Sequence, residues 1–174
     1  MPEPHSLCDP YAMSIRDQIR DQIRERSEAD NAVLLDIWHR AVHATHTFLG
    51  EAVIAEIYPK VRDVYLPSVP VWVYEAEDGR VAGFIGVTGN HVEMLFVDPV
   101  YFGRGIGTAL LDHVKARHLA QGHANGHAPL SVDVNEHNHQ AHSFYRRYGF
   151  TDVSRSATDP AGRPFPIIRM AWQP

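Results

Sequence analysis

In "AVLLDIWHRAVHATHTFL" the apolar side chains return at Val33, Leu34, Ile37, Trp38, Ala41 and Val42. A return every three or four positions places them on one stripe of a helix, with Asp30 or Asn31 as its cap. A second helix is expected over about residues 51–64. The period then shortens to two. "VPVWVYEAEDGRVAGFIGV" reads as two strands joined at Asp78-Gly79, a dipeptide suited to a tight hairpin turn. "HVEMLFVD" makes a third strand, ended by Pro99. A helix is expected over about residues 105–119, followed by a loop in "QGHANGHAP" and a strand in "LSVDVN". A further helix lies in "HQAHSFYRRYG", closed by Gly149. The tail reads as two strands around residues 159–162. The order β-α-α-β-β-β-α-β-α-β-β describes an α/β protein of the mixed-sheet, α+β kind, with helices packed on the sheet.

The first residues stand outside this pattern. "MPEPHSLCDPYA" holds three prolines and no period, so residues 1–16 are expected to be a flexible segment before a single domain at 17–174. DQIR occurs twice in tandem, at Asp17–Arg20 and Asp21–Arg24. It reads as a local duplication or extended start, with a recognition arm as the alternative. A chain of 174 residues suffices for one domain with a sizeable core. A formal net charge of −5 argues against an extended nucleic-acid surface. The single cysteine, Cys8, rules out an internal disulfide and suits a reducing compartment. No apolar run approaches a membrane span, and no basic start precedes an apolar core. The expectation is a cytoplasmic protein, monomer or homodimer, with neither nucleic acid nor membrane as partner.

"YFGRGIGTALL", from Tyr101 to Leu111, places three glycines directly before a helical pattern. Glycine there weakens the helix start, and the usual return is close approach of backbone N–H groups to an anion. A nucleoside-triphosphate loop needs Gly-Lys-Ser/Thr, but Gly107-Thr108 brings no lysine. A dinucleotide fingerprint counted from Gly103 needs glycine at Thr108.

A second stretch, "NHQAHSFYRRYGF" at Asn138–Phe150, narrows the choice. Val97-Asp98-Pro99, Gly103, Gly105-Ile106-Gly107 and Leu110-Leu111 are followed about 30 residues on by Asn138, Ala141, Phe144-Tyr145 and Gly149-Phe150. This pair of motifs resembles the GNAT (Gcn5-related N-acetyltransferase) superfamily. Element order extends the resemblance over about residues 22–172. "HATHTFL", "HVEMLFVDP", "VNEHN" and "GRPFPIIRMA" make the chain most like the small YjaB-type bacterial branch.

The resemblance implies the acyl-CoA N-acyltransferase fold and acetyl-CoA as cosubstrate. The pyrophosphate is then expected at Gly103, Arg104, Gly105, Ile106, Gly107 and Thr108. The pantetheine is expected along Leu95, Phe96 and Val97, with Asn138, Ala141, Phe144 and Tyr145 completing the cofactor site. The superfamily usually has Gln or Arg where Phe102 stands. A phenyl ring donates no hydrogen bond, but the backbone N–H groups of the loop are unaffected, and Arg104 can supply positive charge.

The implied reaction is direct attack of a primary amine on the thioester, the acceptor being a small molecule or a peptide. The leaving thiolate needs an acid, and Tyr145 occupies the family's acid position. An ordinary phenol is protonated at pH 7. The amine must lose a proton, and His91 and Glu93 alternate on the strand before the loop, facing one side. His91 is the candidate base, acting directly or through water, and Glu93 the carboxylate that orients a cationic amine, with Glu93 itself or a water path as the alternative base. His43, His46 and Phe48 are expected to line the acceptor site, because the first two helices wall it in relatives. Metal binding is the other use for "HATH" and "HNHQAH", but no Cys or acidic ligand stands at a diagnostic spacing, so no metal is expected. The competing function is a CoA-binding sensor or interaction module without turnover.

Overall fold

The computed structural model describes residues 22–125 and 128–173. The segment 1–16 and the part of the DQIR repeat before Gln22 lie outside the described residues. Seven strands form one sheet: β1 Ile23–Glu25, β2 Val71–Glu75, β3 Val81–Thr88, β4 His91–Val97, β5 Leu130–Asn135, β6 Thr151–Ser156 and β7 Ile167–Trp172. Their spatial order is β1-β2-β3-β4-β5-β7-β6. The flanking helices are α1 Asn31–Thr45, α2 Glu51–Lys60, α3 Ile106–Asn125 and α4 His139–Tyr148. The element order is the one the hydrophobic pattern predicts.

Two helices outrun their expected ends. Near the end of α2, Pro59 removes one intrahelical donor, and the backbone widens into a π turn at Val61–Tyr65 before a last turn at Leu66–Ser68. Val61 and Leu66 are buried and keep this extension docked. α3 continues to Asn125, past the expected stop near Leu119, since a lone glycine at 122 does not end a helix.

The helices cover opposite faces of the sheet. α1 and α2 lay Leu34, Ile37, Trp38, Val42 and Ile54 against Val71, Val73, Phe84 and Met94. α3 brings Ile106, Leu110, Leu111 and Val114 onto Ala82, Ile85, Val132 and Met170, and Tyr145 of α4 joins the same cluster. Each fully buried leucine contributes about 2 kcal/mol relative to an exposed one. Beyond the reach of α1, the second face of β5 and β7 carries polar groups, including Ser131, Asp133 and Arg169. Arg169 grips Asp133 with two hydrogen bonds of 2.8 Å.

What positions the site is a split in the middle of the sheet. All neighbouring strands are antiparallel except β4 and β5, which pair in parallel at His91↔Ser131 and Val92↔Val132 only. β4 runs on to Val97 with one edge unpaired. The register explains the divergence. Val87 opposes Val92 and Gly86 opposes Met94, so Glu93 is an extra residue in β4. Such a bulge bends its strand and shifts the alternation. Val92 accordingly packs in the α3 cluster and Met94 in the α1 cluster, although the two are only two residues apart.

Candidate active site

A cleft of about 390 Å³ lies along the free edge of β4. Leu95, Phe96 and Val97 form its floor, and Tyr101, Phe102, Gly103 and Gly105 of the loop, with the first turn of α3, form one end. Ala141, Phe144, Tyr145 and Arg147 of α4 face Ala41, Thr45 and His46, at the end of α1, across it. A smaller cavity of about 110 Å³ occupies the split itself, where Glu93 and Met94 face Val132, Asp133 and Asn135. The two cavities share His46, Leu95, Phe96, Asn138, Ala141 and Tyr145. A larger hollow of about 490 Å³ lies elsewhere, between Arg26, Trp72 and Arg117. It contains none of the residues that the motifs single out.

The three loop glycines serve two purposes. Gly103 and Gly105 have φ of 76° and 79°, a left-handed conformation that strains any other residue. A Cβ built on either meets nothing within 4 Å, so the space before the backbone is open. A Cβ on Gly107 would come within 3.3 Å of the Phe144 ring, so this glycine lets the start of α3 pack against α4. The first N–H groups of α3 have no acceptor inside the helix and are available to an anion. This end of the cleft fits a pyrophosphate. Phe102, 39% exposed, lines the cleft beside it. Arg104 does not line the cleft; its guanidinium sits 5.2 Å from the centre of the Tyr101 ring. The guanidinium-bearing residue that does line it is Arg147.

Asn138 caps α4. Its Oδ1 accepts from the Ala141 N–H at 3.0 Å, and the residue is 6% exposed. That cap sets the direction of α4 and hence the place of Tyr145, two turns on. Tyr145 packs edge-on against Phe144 and Phe150, at 5.2 and 5.4 Å between ring centres. Burial pushes its phenol well above the ordinary value, which keeps it protonated. The neighbouring Tyr148 lines neither cavity, and its hydroxyl donates a hydrogen bond of 2.5 Å to Asp112 Oδ1.

The acceptor-side residues divide. Glu93 lines the split cavity and makes no hydrogen bond or ion pair among the described residues. His91 does not line it: the ring stands where β4 and β5 are still paired, with Nδ1 2.9 Å from Ser131 Oγ and Nε2 4.0 Å from Asp133 Oδ2. Leu95, in the cleft, is four residues further along the strand, roughly 13 Å away. The expectation that His91 takes the amine proton directly finds no support in this geometry. His46 lines both cavities. Phe48 stands behind it, 5.5 Å between ring centres, and also touches His137 and Phe165. His43 points away, toward α2. Its Nε2 lies 3.0 Å from His39 Nε2, and its Nδ1 lies 3.3 Å from Glu51. Among the described residues no group of three or more His, Cys, Asp or Glu side chains could hold a metal ion.

Sequence reasoning missed Arg147, Gln140 and Thr45. The first two were legible: Gln140, Phe144 and Arg147 are spaced four and three apart, one face of α4.

A split parallel pair, a glycine-led helix N-terminus at one end of the gap and a buried tyrosine at its centre define a class of acyl-CoA-dependent transferase. The family model for the acetyltransferase (GNAT) domain matches residues 67–152. The chain is 39% identical over 150 residues to the peptidyl-lysine N-acetyltransferase YjaB of Salmonella typhimurium, covering 86% of this chain and 97% of that protein. The solution structure of apo-form YjaB from Escherichia coli superimposes with a TM-score of 0.76 at 35% identity, over 86% of this chain and 95% of that one. The PaiA N-acetyltransferase of Thermoplasma acidophilum, in complex with coenzyme A, shares the fold with a TM-score of 0.67 at 20% identity, over 86% and 98% of the two chains. The chain therefore belongs to the GNAT acetyltransferase family, and its cosubstrate is acetyl-CoA.

Proposed function

We propose that this enzyme acetylates the ε-amine of lysine in peptides or proteins, by direct attack of the amine on acetyl-CoA held in the same complex. The observation that carries the proposal is the pair of adjoining cavities with Tyr145 in the wall of both. The larger cavity suits the cosubstrate and the smaller one the amine, so the two would meet without a covalent enzyme intermediate. The acceptor class follows the YjaB relative, named a peptidyl-lysine N-acetyltransferase.

The roles follow from chemistry. Backbone N–H groups at Gly103–Thr108 bind the pyrophosphate, with Arg147 adding charge. The unpaired edge of β4 at Leu95–Val97 accepts hydrogen bonds from the pantetheine amides, and donates to them, as a neighbouring strand would. Glu93 draws the lysine ammonium toward the split. Tyr145 gives its proton to the departing thiolate.

The test is mass spectrometry of lysine-containing peptides and their N-terminally blocked counterparts after incubation with acetyl-CoA. Acetylation of blocked peptides at lysine supports the proposal. Acetyl-CoA binding without turnover on any amine would instead identify a CoA-binding module.

A further inference from the structure

His46 stands where the two cavities meet, and its neighbours fix the position of its proton. Thr45 has one hydroxyl hydrogen and donates it to the Ala41 carbonyl at 2.7 Å. In the 2.8 Å contact between Thr45 Oγ1 and His46 Nδ1, the donor is therefore Nδ1–H. At the far edge of the ring the Asn138 amide is oriented by its cap, since Oδ1 accepts from the Ala141 N–H. Its Nδ2 then turns toward His46 Nε2, at a long 3.4 Å. Nε2 is the bare nitrogen, weakly engaged, in a wall common to both cavities.

The surroundings keep that nitrogen bare. Phe48 and Phe96 flank the ring at 5.5 and 6.5 Å between centres. Burial without a counter-charge lowers the imidazole to about 4. The ionisable groups facing the same cavities are Glu93 of β4, Tyr101 before the glycine loop, Asp133 of β5, and Tyr145 and Arg147 of α4. Asp133 is taken by Arg169, and none of the five forms an ion pair with His46.

We propose that, once the lysine ammonium has released one proton to solvent, His46 Nε2 receives the substrate amine: it accepts a hydrogen bond from the neutral amine, orients its lone pair toward the thioester, and takes the second proton as the C–N bond forms. This assignment rests on amine acetylation as the activity. The amine lone pair makes the new C–N bond, and the carbonyl π pair moves to oxygen. Bond formation makes the nitrogen's proton far more acidic than in a free ammonium, and at this stage a weakly basic imidazole accepts it. When the adduct collapses, the C–S bond breaks with its electron pair on sulfur, and Tyr145 protonates the sulfur. His46 then returns its proton to the Tyr145 phenolate. One proton has moved from nitrogen to sulfur, and both side chains end as they began.

Two measurements test the assignment. In a long-range ¹H–¹⁵N spectrum of the wild-type protein, His46 Nδ1 should appear protonated and Nε2 bare. Adding a lysine peptide to the CoA-bound protein should move Nε2 and leave Nδ1 in place. A protonated Nε2 overturns the assignment. In kinetics, His46→Leu should lower kcat/KM for the peptide by about 100-fold or more, with acetyl-CoA affinity unchanged. His46→Gln, which keeps an acceptor oxygen near the Nε2 position, should recover about 10-fold of that loss. A His46→Leu enzyme as fast as wild type, or one whose only defect is weaker acetyl-CoA binding, overturns it too. Failure of the wild type on every amine overturns the functional reading itself, so the two failures are distinct.

Discussion

Tyr145→Phe removes one oxygen and one proton from the centre of the site. The ring is 6% exposed and wedged between Phe144 and Phe150, so phenylalanine keeps the packing, and the fold should melt within a few degrees of wild type. The expected loss is in the chemical step. Proton transfer by a positioned group contributes about 10²–10⁴-fold, and the loss here should lie at or below the lower end because a thiolate is already a fair leaving group. A fall of about 10–100-fold in kcat corresponds to about 1.4–2.8 kcal/mol of transition-state stabilisation. The burial that raises the Tyr145 phenol extends its protonated form to more alkaline pH than an ordinary tyrosine, so the wild-type rate should show no alkaline fall from this group below about pH 10. The assay is amine-dependent thiol release between pH 7 and 9.5, beside calorimetric acetyl-CoA affinity. A variant within twofold of wild type at every pH would make Tyr145 a packing residue. So would a variant whose entire loss lies in acetyl-CoA affinity.

Glu93→Gln should raise KM for a lysine peptide by about 3–10-fold with little change in kcat, and the difference should shrink in high salt; steady-state kinetics at two ionic strengths checks this. Gly105→Asp puts a strained side chain and a negative charge where an anion must approach, and should weaken acetyl-CoA binding at least ~10-fold by calorimetry. Asp30, 10% exposed at the side chain, is gripped by Arg24 and bonded to Ser27, which holds its carboxyl well below the usual carboxylate range. Its contribution is therefore complete above about pH 4 and lost as pH falls further. Arg24 is 39% exposed, so Asp30→Asn should cost only about 1–2 kcal/mol, seen as a lower denaturant midpoint at pH 7 that converges on wild type in acid.

The fold was legible because its signals are local. The stripe from Val33 to Val42, the turn at Asp78-Gly79 and the glycines before Ile106 each act over a few residues and each formed the expected element. The glycine loop was legible in purpose as well, though Gly107 turned out to serve helix packing. The acceptor side was harder, since it depends on register. His91 and Glu93 look equivalent on an ideal strand, but the extra residue at Glu93 and the end of pairing after Val92 leave one in the cavity and the other outside it. His43 and His46 look alike in "HATH", yet the end of α1 at Thr45 sends one toward α2 and the other into the cleft. Neither the bulge nor the exact helix end is written in local composition. Arg104 and Arg147 show the same limit: the arginine in the loop stacks on Tyr101, and the one on the neighbouring helix lines the cleft.

The two halves of the sheet, β1 to β4 and β5 to β6, meet through only two residue pairs. Such a sheet is unfinished at its centre, and the backbone at Leu95–Val97 is an interior edge awaiting a partner. On the binding mode proposed above, the pantetheine of acetyl-CoA would take the place of a missing strand, which would make the cosubstrate part of the protein's architecture. At a ligand concentration 100 times its dissociation constant, that completion adds about 2.7 kcal/mol to the folded state. This is a sizeable share of the ~5–15 kcal/mol that typically separates a folded domain from its unfolded chain. The resistance of this protein to heat and proteolysis should therefore rise with the concentration of acetyl-CoA, and of any other CoA species whose pantetheine lies along the same edge.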